Sequence, residues 1–334
     1  MFKVILGLLI GTLITSAVWA GVWWWKSQKE LVSPETSSPQ AEVKEKPLDK
    51  FTFSRMAQAK FTADKIEIGE EIEKNTKITS YKIAYTWDGR KISGMMIVPN
   101  LNKDKYPVIV MIRGYAEQQY YQTGMGTRNA AKYMAENGFL TIAPDFLGYG
   151  DSDKPENDVW WERFSKPAQV LQLIKSIETL DKADVNKIGI WGHSNGGQIA
   201  LSVLEITGAS YPTSLWAPVS SPFPYSILYF TDTDEDEGQA LRHGLSLLEW
   251  DYDVREFSVT RYLNRIKAPI NLHQGGNDPD VPAIWSNRLS QKLKQSKVEI
   301  TYNFYPQSDH NLRPDWNSVV ARDVTFYNKN LEVK

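Results

Sequence analysis

The pentapeptide Gly192-His193-Ser194-Asn195-Gly196 sets a serine between two glycines. A serine hydroxyl alone is a poor nucleophile. It needs a base within hydrogen-bond reach and a carboxylate that orients the base. The flanking sequence has the context such a serine requires. Ile188–Trp191 is a short apolar run, and Ile199, Val203 and Ile206 fall at helical spacing. These patterns predict a strand, a sharp turn and a helix. At the tip of that turn the backbone is strained and the positions two residues to either side pass close together, so glycines fit at 192 and 196. Gly197 is expected to let the helix pack closely on the sheet. The turn would lift the Ser194 hydroxyl over the C-terminal edge of a parallel sheet, where free N–H groups of the helix meet a developing negative charge. The competing reading is a glycine-rich turn with an inert serine.

The chain has four histidines, so the base follows by elimination. His193 shares the constrained turn. His243 lies in a segment that breaks the strand–helix rhythm, and His273 ends a strand ahead of the candidate acids. His310 sits in Gln307-Ser308-Asp309-His310-Asn311, the loop after the last strand, and is the candidate base. The acid is expected in Gln274-Gly275-Gly276-Asn277-Asp278-Pro279-Asp280-Val281-Pro282. Asp278 follows two glycines and precedes a proline, so its backbone can bend toward the histidine loop; Asp280 is the second choice. Without a chemical role Asp278 would be an Asx-Pro turn residue. Asp309 adjoins His310 and is poorly placed to orient its ring. An oxyanion would need two donors. One is the backbone N–H of Asn195. The other comes from the loop after strand Tyr106–Arg113, as the N–H of Tyr115 or the hydroxyl of Tyr120 or Tyr121.

The elements that must hold these residues alternate. Lys77–Trp87 and Arg90–Pro99 are strand-like runs joined at Asp88-Gly89, a strong hairpin signal. Phe51–Asp64 is weakly helical. Tyr106–Arg113 and Phe139–Ala143 are apolar strands around a helix at Gly126–Asn137, and Val159–Leu180 is a long helix interrupted near Pro167. After the Ser194 helix come strand Thr213–Ala217, strand Pro269–His273, helix Pro282–Gln295, strand Val298–Tyr305 and helix Trp316–Asn330. This rhythm argues for an α/β fold with a mostly parallel sheet. Residues 220–264 break it and read as a cap over the sheet's C-terminal edge.

With 334 residues and a net charge of −2, the chain has room for one large α/β domain and carries no basic footprint for nucleic acid. The absence of cysteine excludes disulfides, thiolate metal sites and cysteine nucleophiles. No P-loop and no H-E-x-x-H occurs, and Gly124-Met125-Gly126 lacks the third glycine of a dinucleotide fingerprint. No cofactor and no metal is expected. Val4–Trp25 is an uncharged apolar stretch long enough to span a bilayer, and it closes on Trp23-Trp24-Trp25-Lys26. The expected organisation is a transmembrane anchor at residues 1–25, a disordered linker at 26–50, and a catalytic domain at 51–334 held outside the cytoplasm. The alternative is a signal peptide cut after Ala20 and a secreted or periplasmic protein.

Residues about 78–332 resemble an α/β-hydrolase domain. They are particularly similar to the catalytic domain of the prolyl oligopeptidase (S9) family and its dipeptidyl-aminopeptidase and acylaminoacyl-peptidase relatives. The pieces that carry the likeness are the Asp88-Gly89 hairpin, PVIVMIRGY, APDFLGYGDSD, GHSNGGQIA, QGGNDPDVP and SDHNL. The resemblance implies a triad of Ser194, Asp278 and His310, and structural roles for Asp145 and the Gly148–Gly150 loop. Two departures matter. The family usually has His-Gly where this chain has Arg113-Gly114. Full-length oligopeptidases also carry an N-terminal β-propeller that restricts entry to short peptides, and only about 26 residues separate the tether from the hairpin here.

The expected function is a serine hydrolase working through an acyl-enzyme on a short peptide, with a carboxylesterase acting on small acyl esters as the alternative. An inactive binding module, and lyase or haloperoxidase chemistry on the same fold, are the remaining classes. The acidic run Asp232–Glu237 could attract a substrate's free amino terminus or hold Ca²⁺; the plainer reading is a solvated loop. Trp216, Phe223, Tyr225 and Trp250 could line an acyl pocket or belong to the core.

Overall fold

Asp88 and Gly89 reverse the chain with φ of 51° and 71°, both in the left-handed region, and Trp87 pairs with Arg90 across the turn. Two positive φ values in a two-residue loop match the right-handed twist of the strands they join. The hairpin is therefore made as the dipeptide predicts, from β2 (Ile78–Trp87) and β3 (Arg90–Pro99). The computed structural model describes residues 46–231 and 236–333. Among them, nine strands form one sheet in the order β1-β2-β3-β5-β4-β6-β7-β8-β9. The remaining strands are β1 (Glu67–Lys74), β4 (Tyr106–Ile112), β5 (Leu140–Pro144), β6 (Ala183–His193), β7 (Thr213–Trp216), β8 (Ile270–Gly275) and β9 (Ile300–Tyr305). β1, β2 and β3 pair antiparallel, β3 joins β5 antiparallel, and every pairing from β5 through β9 is parallel.

β4 is buried along its whole length, as its unbroken apolar run requires of a central parallel strand. The longer helices among the described residues are α1 (Arg128–Glu136), α2 (Val159–Ser176), α3 (Asn195–Thr207), α4 (Gln239–Asp251), α5 (Ala283–Gln295) and α6 (Trp316–Asn330), and all but α4 pack on the sheet. One apolar layer packs Val108, Val110, Leu173 and Val203 together; the other gathers Ile109, Met134, Phe139 and Tyr327. The sheet thus has a core on both faces.

The structure corrects the sequence reading in several places. α2 runs through Pro167 without interruption. Proline in a helix interior removes a backbone bond at a cost of roughly 3 kcal/mol, but Trp160, Trp161, Phe164, Val170, Leu171 and Leu173 are all buried along this helix, and that burial outweighs it. Phe51–Asp64 is helical only at its start, in one 3₁₀ turn at Asp49–Phe51 and one α turn at Phe53–Met56. β1 was not expected. Its sequence EIGEEIEK lacks an apolar face, and the strand lies exposed at the sheet edge. Leu48, within the stretch read as linker, is 4% exposed, and its N–H donates to the Tyr252 hydroxyl at 3.2 Å. The expected membrane segment at 1–25, with the orientation and location drawn from it, lies outside the described residues, as does most of the linker. Among the described residues no helix is long and apolar enough to cross a membrane.

Asp323 of α6 ties the far side of the sheet together. Its carboxylate accepts from the Ser214 hydroxyl, Trp216 Nε1 (2.7 Å), Asn271 Nδ2 (2.9 Å) and His273 Nε2 (2.9 Å), with His273 and Asp323 both fully buried. One carboxylate therefore fastens β7, β8 and α6. Asp323→Ala removes the acceptor that four buried donors share, and equilibrium denaturation should show a loss of about 3–5 kcal/mol.

Candidate active site

Ser194 joins β6 to α3 with φ 56° and ψ −122°, a strained backbone for a residue with a side chain. Neighbouring carbonyls and N–H groups hold it there. Its N–H donates to the Trp216 carbonyl at 2.9 Å, and its own carbonyl accepts from Val219 at 3.0 Å. The flanking glycines answer a steric demand. A Cβ on Gly196 would lie 2.0 Å from the Ile112 carbonyl oxygen, and one on Gly192 would lie 2.6 Å from the Gly196 oxygen. Gly197 meets Pro218, just past β7, where a Cβ would lie 2.6 Å from the proline ring.

Two loops bring the acid and the histidine together. Gly276 N–H donates to the Tyr305 carbonyl at 2.7 Å and Asn277 N–H to Ser308 at 2.9 Å, so the loop after β8 lies against the loop after β9. His310 Nδ1 and Asp278 Oδ2 are 2.9 Å apart, with side-chain exposures of 12% and 1%. Nδ1–H donates, which leaves Nε2 free to act as acceptor. Asp278 Oδ1 accepts from the N–H groups of Asp280 and Val281, both at 2.9 Å, and Oδ2 also accepts from Gln274 Nε2 at 3.0 Å. Burial works to raise the Asp278 pKa, but the bonds from His310 and Val281 outweigh it and hold the carboxyl below its ordinary 3.8. Asp280 is exposed, and of the two candidate carboxylates it is Asp278 that bonds the His310 ring. Asp309 instead accepts from the N–H groups of Asn311 and Arg313 and shapes its own loop.

Ser194 and His310 line one cavity of about 910 Å³. Among the described residues no hydrogen bond links the Ser194 hydroxyl to the His310 ring; such bonds are often long in unliganded sites and shorten when substrate binds. Arg113-Gly114-Tyr115 runs beside the serine, where a Cβ on Gly114 would lie 2.9 Å from Ser194 Cβ. The N–H groups of Asn195 and Tyr115 have no acceptor among the described residues. The Tyr121 hydroxyl is committed to Asp145 at 2.7 Å, which removes it as an alternative donor. Asp145 is fully buried and also accepts from Ser93 and Thr123, in the structural role the sequence likeness implies.

Sequence reasoning missed two parts of this site. His193 Nε2–H donates to the His310 carbonyl at 2.9 Å, and the two rings lie 4.6 Å apart. Burial, and then the His310 ring, push the His193 pKa down to about 4. Phe51 and Phe53, from the stretch read as weakly helical, line the cavity. Their only sequence signal is two aromatics beside a polar linker. Of the proposed pocket aromatics, Phe223 lines the cavity. Trp216 is held by Asp323, Tyr225 lies against Trp285, and Trp250 is 89% exposed. The stretch read as a cap contributes Phe223, Ile227, Leu241 and Phe257 to the wall. Residues 232–235 of the acidic run lie outside the described residues, and Asp236 accepts from the first N–H groups of α4. Ligand atoms of Asp278, Asp280 and His310 lie within 4.8 Å of one another. A cation there would compete for the nitrogen that Asp278 already holds.

Comparison with known proteins places the chain. A peptidase of Bacillus subtilis strain 168, YtmA, itself uncharacterised, is 24% identical over 259 residues, covering 75% of this chain and 93% of that one. Dipeptidyl aminopeptidase BIII of Pseudoxanthomonas mexicana is 24% identical over 236 residues, 66% of this chain but 32% of its own length. Among solved structures, acetyl xylan esterase 1 of Thermoanaerobacterium sp. JW/SL YS485 superposes with a TM-score of 0.60 at 16% identity, over 84% of this chain and 94% of the esterase. A puromycin-hydrolysing peptidase of Mycobacterium tuberculosis gives 0.60 at 19% identity, over 76% of this chain and 40% of the peptidase. These structural likenesses establish an α/β-hydrolase fold. Residues 125–334 match the prolyl oligopeptidase family, peptidase S9. That stretch holds the strained serine turn, the His310–Asp278 pair and most of the cavity wall, and the chain belongs to the prolyl oligopeptidase family of serine hydrolases.

Proposed function

We propose that this protein cleaves acyl bonds of short peptides through a Ser194 acyl-enzyme. The observation that carries the reading is the 2.9 Å bond from His310 Nδ1 to a buried, ionised Asp278, in a cavity shared with Ser194 on its strained turn. In the first step Ser194 Oγ bonds to the substrate carbonyl carbon and its proton passes to His310 Nε2. Negative charge builds on the carbonyl oxygen, within reach of the Asn195 and Tyr115 N–H groups. The bond to the leaving amine breaks as His310 returns the proton. Water, deprotonated by His310, then attacks the acyl carbon, and the Ser194 Oγ–carbon bond breaks. Asp278 keeps Nδ1 protonated and balances the imidazolium. His193, buried and neutral, adds no second positive charge beside it.

An ester specificity is the second reading. The fold matches acetyl xylan esterases over 94% and 96% of their length at TM-scores of 0.60 and 0.61. The same serine, base and donors serve either bond.

The full-length chain should be assayed on p-nitrophenyl esters and on aminoacyl p-nitroanilides with free and blocked amino termini. Fast anilide cleavage supports the peptidase; ester cleavage alone supports the second reading. Ser194→Ala and His310→Ala should each lower kcat by about 10⁴-fold or more, and Asp278→Asn by about 10²–10⁴-fold. If Asp278→Asn retains activity while Asp280→Asn loses it, the acid is misassigned.

The depressed His193 pKa also sets a dependence of stability on pH. The unfolded chain binds a proton at His193 below about 6.5, while the folded protein resists it until about 4. Stability from this site is therefore complete above 6.5 and declines as the pH falls toward 4. The urea midpoint of His193→Gln should drop less between pH 7 and pH 4.5 than that of the wild type. Parallel slopes would assign the acid sensitivity elsewhere.

A further inference from the structure

The cavity that holds Ser194 runs along the first turns of α2, where Arg163 contributes to its wall. No hydrogen bond or salt bridge holds the Arg163 guanidinium among the described residues, although burial pushes its pKa down to about 10. It remains cationic at neutral pH. Lys166 and Arg113, the other basic side chains on the wall, are held by the fold, with Arg113 Nε alone left buried without an acceptor among the described residues. Glu162 pairs with Lys166 at 3.1 Å. Arg113 donates to the carbonyls of Gly114 and Asp145 at 2.9 and 3.0 Å and lies against the rings of Tyr121 and Tyr149. Asp280 stands beside His310. The wall also carries a large apolar surface from Phe53, Trp160, Phe164, Phe223, Ile227 and Phe257, beside the uncharged Gln198, Ser202, Ser226 and Thr231.

Arg163 is half-buried, and its guanidinium, without a protein partner among the described residues, is still reached from the cavity. It is a strong, planar receptor for a carboxylate once water is excluded. We infer that the cavity takes acyl compounds that carry a free carboxylate on an apolar body, and that Arg163 receives the carboxylate. The aromatic wall covers the body, and the unpartnered Arg163 guanidinium selects for the anion over its neutral ester. This assignment of substrate class rests on the hydrolase reading above.

Two substrate pairs test it with the full-length chain. One is the p-nitrophenyl hemi-ester of adipic acid against its methyl ester, with the carboxylate on the acyl side. The other is butanoyloxybenzoate against its methyl ester, with the carboxylate on the leaving group. Wild-type kcat/KM should favour the carboxylate by about tenfold in at least one pair, and the responding pair identifies the side. Arg163→Met should bring that ratio close to one, and Arg163→Lys should restore part of it. The ratio is independent of how much of the variant folds, because both esters see the same active molecules. A wild-type ratio at or below one in both pairs overturns the inference, as does a preference that survives in Arg163→Met. Turnover of neither member would instead sink the hydrolase reading. Calorimetry with phenylpentanoate and phenylpentanamide then decides the role of Arg163 separately. The anion should bind about tenfold more tightly to the wild type, and the difference should vanish in Arg163→Met; equal binding to the wild type overturns the assignment.

Discussion

At the C-terminal edge of the sheet, backbones meet at distances that leave no room for side chains. The Ile112 carbonyl occupies the space a Gly196 Cβ would need, and the loop after β8 lies equally close to the one after β9 at Gly275 and Gly276. These contacts fix three chain segments, far apart in sequence, against one another through hydrogen bonds of main chain to main chain. The position of Ser194 relative to His310 is then set by the sheet itself. Side-chain packing alone leaves more latitude, because rotamers adjust and backbone contacts do not. The strain at Ser194 persists because neighbours bind it from both sides, through Trp216 and Val219.

Much of this was legible in the sequence because the informative residues have few physical uses. An Asp-Gly pair between alternating runs makes a tight hairpin, and a serine between glycines at a strand–helix junction makes a strained turn. With four histidines in the chain, position along the sheet singled out His310. What could not be read depends on distant partners. The charged sequence of β1 carries no strand period, and only the exposed edge of β2 explains why it pairs at all. Pro167 signals a break, but the cost it imposes is smaller than the apolar burial along α2, a quantity that depends on residues from other elements. The links from His193 to His310 and from Asp323 to His273 join residues more than forty positions apart, where local pattern has no purchase.

The two buried His–carboxylate pairs show how environment divides one chemistry into two uses. His310 reaches the cavity and keeps a ring nitrogen available. His273 spends both nitrogens, one on Asp323 and the other on the Tyr305 hydroxyl, with no solvent exposure. The first arrangement is able to move a proton; the second is a rivet. The charges of the cavity wall follow a similar logic. Lys166 pairs with Glu162, Arg113 is held by two carbonyls and two rings, and both help build the fold. Arg163 has no such duty in the folded chain, which is why it stands out as a receptor.

The outer edge of β1 carries consequences for behaviour in bulk solution. Four glutamates line a strand whose edge has no neighbour in the sheet, and Lys82 and Lys132 offset only Glu70 and Glu73. Two copies approaching edge to edge would bring these carboxylates together, so lateral growth of the sheet is opposed by mutual repulsion. The protection is colloidal in kind. It fades where acid neutralises the carboxylates or where molar salt shortens the screening length to about 3 Å. Under those conditions the exposed backbone of β1 becomes a template, and the shelf life of concentrated protein becomes a matter of solvent composition more than of folding stability.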